Sequence, residues 1–319
     1  MTNPVPKLRV VFMGTPAFSV PVFRGLHEAG HQVVGVYTQP DRQTGRGRKL
    51  SPSPVKQVAL EQGVPVLQPA SLRSDSSVIE ELASLSPDVI IVAAYGLFLP
   101  PEFFELPTYG SLNVHPSLLP KYRGPAPVVT TILNGDDVAG VSIIRLIERM
   151  DAGPILAQRE TRVGASETSE DLTLRLFELG VELLIDILPD WAAGKIVEQP
   201  QDERKATTTH LLSREDGEID WSNSADYISR QVRAYVPWPG TFTRWQGETL
   251  KIVSATAGEG QDAPMGNTGE VVALSDGVGV VTGAGLLRLS ELQVAGRRAV
   301  AVSDFLLGHL DFVGSHLGL

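Results

Sequence analysis

Asn113 and His115 place a carboxamide and an imidazole two residues apart, directly before Pro116. In an extended strand the side chains alternate between two faces, so this pair shares one face while Leu112 and Val114 share the other. Because proline lacks the N–H that a central strand needs, the pair lies where the strand stops and a loop begins. An amide can donate a hydrogen bond to a developing oxyanion, and a histidine can do the same or move a proton near neutral pH.

A carboxylate is the usual partner that orients such a histidine, and Asp151 is the candidate. It follows a predicted strand over Val141–Ile147 and precedes a Gly-Pro turn. Spacing alone leaves two interpretations open. In the first, Asn113, His115 and Asp151 form a catalytic site. In the second, backbone groups satisfy a polar pair at a strand end, and the aspartate caps a turn.

The hydrophobic pattern of the first half indicates the elements that would position these side chains, because short apolar runs alternate with helical stretches. The predicted strands are Leu8–Met13, His31–Thr38, Asp88–Ala94 and Ser111–His115. The predicted helices are Val20–Ala29, one that starts at Ser53-Pro54, Asp75–Leu85 and Pro125–Leu133. This alternation predicts an α/β fold with a doubly wound, mostly parallel sheet, in which ligands bind at the carboxyl ends of the strands.

The pattern changes after residue 190, where residues 191–209 are predicted to be a helix end followed by a polar linker. Two helices are predicted beyond it, at Ala225–Ala234 and Ser303–Leu310. The predicted strands between them are Thr241–Trp245, Leu250–Ala255, Gly269–Leu274, Val278–Val281 and Leu286–Leu292. Several short strands in succession predict a small OB-like β-barrel. We therefore expect two domains, over residues 1–190 and 210–319.

The amino-acid composition excludes several classes of protein and several kinds of catalytic group. The chain of 319 residues has 27 Lys and Arg against 37 Asp and Glu, a net charge of −10, which argues against a wholly basic nucleic-acid coat or a polybasic membrane-surface protein. It has no cysteine, which removes disulfides, Cys-ligated zinc, iron–sulfur clusters and thiol nucleophiles. No signal peptide is recognisable and no apolar run reaches the roughly 18 residues of a membrane span, so a cytoplasmic location is expected. A monomer is the default expectation.

Positive charge is nevertheless concentrated in one loop that follows the second predicted strand. Its cations are Arg42, Arg46, Arg48 and Lys49, and the only acid beside them is Asp41. Glycines at 45 and 47 leave its backbone flexible enough to fit against a phosphate backbone. The loop is therefore either an RNA contact or an ordinary solvated loop.

Two motifs carry a resemblance that covers nearly the whole chain. The run Asn113-Val114-His115-Pro116-Ser117-Leu118-Leu119-Pro120-Lys121-Tyr122-Arg123-Gly124 and the element Asp151-Ala152-Gly153 resemble signatures of the formyltetrahydrofolate-dependent transferases. Further similarity lies at Phe12–Pro16, Tyr95-Gly96 and Pro237–Gly240. The resemblance implies a Rossmann-like formyltransferase domain followed by the OB-like domain, 10-formyltetrahydrofolate as the formyl donor, and no metal.

The resemblance also implies roles for individual residues. Asn113 and His115 would stabilise the oxyanion formed when a substrate amine attacks the formyl carbon, and Asp151 would orient His115, favour its charged form and help to move protons through water. The folate pocket would be lined by Ser117, Leu118, Leu119, Pro120, Tyr95, Gly96 and Leu97. Because the substrate supplies the nucleophile, a chain without cysteine is adequate for this reaction.

These motifs specify the donor better than the acceptor, because the same motifs occur in enzymes that formylate a purine precursor or an amino sugar. The basic loop resembles the one with which a branch of the family binds the acceptor stem of methionyl initiator tRNA. This implies that Arg42, Arg46, Arg48 and Lys49 bind tRNA, and that the product, N-formylmethionyl-tRNA, serves translation initiation. In the second domain, Arg244, Lys251, Arg297 and Arg298 either contact the tRNA body or only support packing.

Two other classes of protein remain as alternatives. A dinucleotide-dependent oxidoreductase is disfavoured because the turn that begins at Gly14 lacks the Gly-x-Gly-x-x-Gly spacing that lets a pyrophosphate approach the backbone. A non-catalytic RNA-binding protein would keep its function after loss of His115 and Asp151, so formyl transfer abolished by His115→Ala would exclude it.

Overall fold

The predicted alternation of strands and helices is present in the computed structural model, which describes residues 7–44, 49–73, 76–258 and 266–318. The chain separates into two units. The first contains the chain up to Pro127, then Val138–Arg162 and Thr173–Thr209, and the second contains Val128–Asp137, Val163–Leu172 and the chain from His210 onward. The predicted domain limits differ in detail from this division and stay a prediction.

A single sheet organises the first unit. Its strands are β1 (Arg9–Gly14), β2 (Gln32–Tyr37), β5 (Val66–Leu67), β6 (Val89–Ala93), β7 (Ser111–His115), β8 (Val138–Arg145) and β9 (Ile155–Arg162). They are ordered β5-β2-β1-β6-β7-β8-β9. Pairing is parallel from β5 to β7 and antiparallel for β7-β8 and β8-β9, so the mostly parallel sheet is confirmed. A separate antiparallel ribbon joins β3 (Arg42–Thr44) to β4 (Lys49–Ser51).

Helices cover both faces of this sheet. The helices of the chain, within the described residues, are α1 (Val20–Glu28), α2 (Pro54–Glu61), α3 (Ser76–Ser84), α4 (Pro101–Phe104), α5 (Pro127–Asn134), α6 (Ser169–Ala192), α7 (Ala225–Ala234) and α8 (Val302–Gly308). Val10 and Phe12 of β1 belong to the apolar cluster that includes α1, α2 and α6. Val11 and Met13 belong to the cluster on the opposite face, with α3 and α4. A strand buried on both faces explains why β1 is a continuous apolar run.

The second unit contains an antiparallel sheet. Its strands are β10 (Thr241–Trp245), β11 (Glu248–Ala257), β12 (Val271–Leu274), β13 (Gly277–Val281), β14 (Leu286–Val294) and β15 (Val300–Ala301). The order is β10-β11-β14-β13-β12, and β15 pairs with β14. Ile228 of α7 and Phe305 of α8 join the apolar core of this sheet. A doubly wound α/β unit followed by a small antiparallel β unit is therefore the fold that the sequence predicts.

Several elements were not recognisable in the sequence. Strand β9 lies at the edge of the sheet, and every second residue of its latter half is exposed, so it lacks the apolar run that marks β1 and β6. Strand β8 begins at Val138, three residues before its predicted start, and ends at Arg145. The ribbon β3-β4 and the two-residue strand β5 are too short to produce a periodic signal.

Candidate active site

Strand β7 presents different chemistry on its two faces. Leu112 and Val114 are fully buried in the apolar cluster that contains α1 and α6. Asn113 and His115 alternate with them and lie on the other face, as period-two spacing requires. His115 is the last residue of the strand and is only 4% exposed, while Asn113 is half-buried. The strand therefore fixes an amide and an imidazole side by side.

Asp151 reaches this face from the loop between β8 and β9. Its Oδ1 lies 3.4 Å from Asn113 Nδ2 and 3.7 Å from His115 Nδ1. Its Oδ2 accepts a hydrogen bond of 2.8 Å from the Gly124 backbone N–H. The structure thus brings the three proposed catalytic residues together, although Asp151 is 36 residues beyond His115 in the chain.

The two ring nitrogens of His115 have different environments. Nε2 lies 3.0 Å from the Tyr122 carbonyl oxygen, and because a carbonyl only accepts, Nε2 carries a proton. Nδ1 faces Asp151 at 3.7 Å, beyond hydrogen-bond distance. This geometry assigns the proton of a neutral ring to Nε2 and leaves Nδ1 to accept a further proton. A proton taken up on Nδ1 would face the Asp151 carboxylate.

Ser142 and Gln158, on neighbouring strands β8 and β9, hold the segment after His115. The Ser142 hydroxyl donates to the Ser117 carbonyl at 2.6 Å and accepts from the Leu119 N–H at 3.1 Å. The Gln158 amide donates to the Leu119 carbonyl at 2.9 Å and to the Ser142 hydroxyl at 2.8 Å. These contacts immobilise the backbone of Ser117–Leu119, which includes Leu118, and the Leu119-Pro120 peptide bond is cis.

The other part of the predicted folate pocket follows β6. Tyr95 is almost fully buried, its hydroxyl makes no hydrogen bond to any described residue, and burial raises its pKa above the usual range. Its carbonyl accepts from the Thr15 hydroxyl and from the Gln39 amide, each at 3.0 Å. Gly96 has φ +81°, and a Cβ there would lie 2.3 Å from Gln39 Nε2. Leu97 packs at the margin of the adjacent apolar cluster.

Two of the predicted tRNA-binding cations, Arg42 and Lys49, lie on the ribbon β3-β4. Arg42 is exposed and hydrogen-bonds the Gln39 side chain. Lys49 pairs with Thr44 in the ribbon through its backbone, while Arg46 and Arg48 lie outside the described residues.

Asp41 hydrogen-bonds side chains outside the ribbon. Its carboxylate accepts hydrogen bonds from Lys56 Nζ at 2.8 and 2.9 Å and from Gln68 Nε2 at 2.8 Å. The Gln68 hydrogen bond, and after it the Lys56 hydrogen bond, hold the pKa of Asp41 below its usual range. The one acid that the sequence places beside the cations is therefore paired with a lysine of α2.

The described residues lack two other kinds of feature. No group of three or more His, Asp or Glu side chains in the described ranges is arranged to hold a metal ion. None of the described helices is both long and apolar enough to cross a membrane.

Comparison with known proteins defines the class. The family model described as "Formyl transferase" matches residues 8–188, and the one described as "Formyl transferase, C-terminal domain" matches residues 211–310. This chain belongs to the formyl transferase family. The first match contains Asn113, His115 and Asp151, so the assembled site lies inside the part of the chain that defines the family.

Its relatives carry a more specific name. A protein of Roseiflexus sp. (strain RS-1) named "Methionyl-tRNA formyltransferase" is 48% identical over 98% of this chain and 95% of its own length. A protein of the same name from Methylococcus capsulatus is 43% identical over 98% of this chain and 100% of its own length.

Solved structures agree on the fold at lower identity. HypX from Aquifex aeolicus in complex with tetrahydrofolic acid has a TM-score of 0.65 and 20% identity, covering 97% of this chain and 48% of its own. Glycinamide ribonucleotide transformylase 1 from Symbiobacterium toebii has a TM-score of 0.51 and 21% identity, covering 61% of this chain and 95% of its own. The fold is thus shared by proteins that carry different names.

Proposed function

We propose that this protein transfers the formyl group of 10-formyltetrahydrofolate to the α-amino group of methionine on initiator tRNA. The convergence of Asn113, His115 and Asp151 at the end of β7 carries the proposal, because it assembles an oxyanion donor, a proton acceptor and a carboxylate in one half-buried place. The shared name of relatives up to 48% identical over 98% of the chain supports the choice of acceptor.

The reaction is a direct transfer. The amine lone pair attacks the formyl carbon, forming a C–N bond and moving the carbonyl electrons onto oxygen. Collapse of this tetrahedral intermediate breaks the bond to N10 of the folate. The amine nitrogen loses one proton and N10 gains one, so the step is balanced without a covalent enzyme intermediate. The protein has to bind the oxyanion and move that proton.

His115 suits the proton transfer. With its Nε2 proton held by the Tyr122 carbonyl, Nδ1 is the atom that accepts a proton from the attacking amine, directly or through a water molecule. The resulting imidazolium donates from Nδ1 to the oxyanion, and Asp151, 3.7 Å away, stabilises its charge. Asp151 acts by orientation and by charge.

Asn113 supplies the second oxyanion donor. Its amide nitrogen has two hydrogens, and only one is directed at Asp151 Oδ1, at 3.4 Å. The other hydrogen is available to the developing negative charge. An amide donor fixed on a strand needs no reorganisation during the reaction, which is the condition under which such donors accelerate it most.

The donor and the acceptor would use different surfaces. We assign the folate to the segments Ser117–Pro120 and Tyr95–Leu97, as the family resemblance implies, and hydrogen bonds to the backbones of Ser117, Leu119 and Tyr95 support an ordered pocket there. We assign the tRNA to the ribbon β3-β4. The second unit offers a further basic face, on which Arg244 and Lys251 are exposed on paired strands β10 and β11. In a chain of net charge −10, RNA binding has to rely on such local surfaces. A cytoplasmic location and a monomeric state remain predictions.

An acceptor assay tests the proposal. Purified protein and 10-formyltetrahydrofolate are combined separately with charged initiator tRNA, charged elongator tRNA, an amino-sugar nucleotide and glycinamide ribonucleotide, and formyl transfer is measured. We expect transfer to methionyl initiator tRNA, with much less to the elongator. Transfer to a small-molecule acceptor alone would overturn the choice of substrate.

A further inference from the structure

Residues 199–209, which we call the strap, run along the loop that follows β7. The Arg123 N–H donates to the Thr207 carbonyl at 2.9 Å, and the Thr209 N–H donates to the Arg123 carbonyl at 2.7 Å. The Tyr122 N–H donates to the Thr207 hydroxyl at 2.9 Å. A segment that the sequence predicts to be a linker therefore pairs with the motif that provides the Tyr122 carbonyl to His115.

Gln201 is the strap residue that connects this loop to Asp151. Its Nε2 donates to the Asp151 carbonyl at 2.8 Å and to the Gly153 carbonyl at 2.7 Å. Its Oε1 accepts from Arg123 Nε at 3.0 Å and from Arg123 Nη2 at 2.8 Å. Both amide hydrogens and the amide oxygen are thus used, so this side chain has one orientation and joins two catalytic-loop segments.

Arg123 in turn is fixed from its other side. Its guanidinium is buried and donates to both carboxylate oxygens of Glu203, at 3.0 and 3.2 Å. A buried arginine that lost these partners would leave an uncompensated charge, so the network Gln201–Arg123–Glu203 forms as a unit.

The backbone conformation of Asp151 requires stabilisation by other residues. Its backbone is in the left-handed region, with φ +49°, which a residue with a Cβ adopts at a cost of order 1 kcal/mol or more. The following turn is also crowded, because a Cβ at Gly153 would lie 1.8 Å from the Arg145 carbonyl oxygen. The two hydrogen bonds from Gln201 go to the carbonyls of this same turn. They offset the cost of the conformation that aims the carboxylate at His115.

We propose that Gln201 is a positioning residue that holds the Asp151 carboxylate against His115 and Asn113. Its amide hydrogen-bonds Arg123 and the carbonyls of Asp151 and Gly153, so it acts through the backbone of Asp151. The kinetic part of this inference rests on the proposed function. The structural part does not, because the position of Asp151 can be read from the Gly124 N–H that donates to its Oδ2 at 2.8 Å.

The structural test is amide hydrogen exchange by NMR on the full chain without substrate. We expect Gln201→Ala to accelerate exchange of the Gly124 amide at least ~10-fold, while the Ile91 amide in central strand β6 keeps its rate. Gln201→Glu, which keeps an acceptor for Arg123 but has no N–H donors, should accelerate it as well. The matched control is Gln199→Ala, since Gln199 is an exposed strap residue whose side chain, within the described part of the chain, hydrogen-bonds just the Val197 carbonyl, at 3.5 Å.

The kinetic test compares two backgrounds. In the otherwise native enzyme, Gln201→Ala should lower kcat by ~10-fold or more with KM values changed less than about two-fold, because a small misplacement of a catalytic group affects the transition state most. In an Asp151→Asn background the same substitution should lower kcat no further. Equal losses in both backgrounds would show that Gln201 acts independently of Asp151 and would overturn the proposal.

The two tests separate this inference from the proposed reaction. If Gly124 responds as expected but the native protein formylates no tRNA, the proposed function fails and the positioning role stands. If the protein formylates methionyl-tRNA but the Gly124 amide is unchanged in Gln201→Ala, or accelerates only together with Ile91, the positioning role is wrong.

Discussion

The end of β7 and the ribbon β3-β4 are built in opposite ways. At the end of β7, His115 is 4% exposed, and hydrogen bonds from β8, β9 and the strap hold the surrounding loop. Among the residues that the structure describes, the ribbon's two three-residue strands pair with each other and join no larger sheet, Arg42 is exposed, and Leu50 is 70% exposed.

The difference suits the two regions to different tasks, catalysis at the end of β7 and RNA binding at the ribbon. A group that must meet an oxyanion within a few tenths of an ångström gains from fixed, desolvated surroundings. A cation that neutralises a phosphate gains from reach and solvent access, and its contribution is weakened by salt. Substitutions at the end of β7 should therefore change kcat, and substitutions in the ribbon should change the KM for tRNA.

The largest effect is expected from the oxyanion donors. His115→Ala and Asn113→Ala should each lower kcat by at least ~100-fold while the protein still unfolds cooperatively, because each removes one fixed donor. Steady-state kinetics and calorimetry check this. His27→Ala, at an exposed histidine of α1, is the control. Near-normal turnover in both variants would remove these residues from the site.

The next effect is expected at Gly124, which positions the amide that binds Asp151. Its φ is +104°, and an added Cβ would lie 2.9 Å from the Thr209 carbonyl oxygen. Gly124→Ala should lower kcat by ~10-fold, because the loop must shift. Gly30→Ala is a matched control, with φ +84° and open space around the added Cβ. Because of its left-handed backbone it should cost about 1–2 kcal/mol of stability, with no loss of activity. Equal kinetics of the two variants would contradict the close approach to Thr209.

A smaller and different effect is expected in the ribbon. Arg42→Ala should raise the KM for tRNA a few-fold, reduce the slope of log KM against log salt by about 0.7–0.9, and leave the KM for folate unchanged. Adding Arg46→Ala and Arg48→Ala should extend the same trend. Arg24→Ala, at an exposed position of α1, is the control. A loss of folate affinity equal to that for tRNA would contradict the separation of the two surfaces.

The smallest effect is expected at the edge of the strap. Hydrogen bonds from Arg123 and then Arg149 lower the pKa of Glu203 to about 2. Because the folded value lies below the ordinary 4.5, the stabilisation is present above pH 4.5 and is lost as pH falls toward 2. The unfolding midpoint of Glu203→Gln should therefore lie below native at pH 7 and approach it across that window. A gap that stays constant down to pH 2 would contradict this origin.

The local sequence pattern was sufficient to predict the limits of elements that are buried and regular. Strand β7 spans Ser111–His115 and helix α7 spans Ala225–Ala234, the limits that the sequence predicts. Ser53 caps α2 by accepting from the Lys56 N–H at 3.1 Å, as the Ser-Pro signal indicates. These features depend on periodicity and capping, which are properties of neighbouring residues.

Local pattern could not identify partners that come from distant segments. The sequence places Asp41 against the basic cluster, but tertiary packing pairs it with Lys56 and Gln68. The sequence of the strap is typical of a polar linker, and its hydrogen bonds go to loops that are far away in sequence. Polar composition alone does not indicate such partners.

The sequence by itself therefore determined the donors of the site, since alternation along one strand is enough to put Asn113 and His115 on one face. Only the tertiary structure decided what surrounds them. It brings Asp151 within 3.7 Å of His115, turns the Tyr122 carbonyl toward the opposite ring nitrogen, and places Gln201 behind Asp151. The physical reason is that strand geometry is local, whereas the aim of a loop carboxylate depends on hydrogen bonds from segments that meet only when the chain is folded.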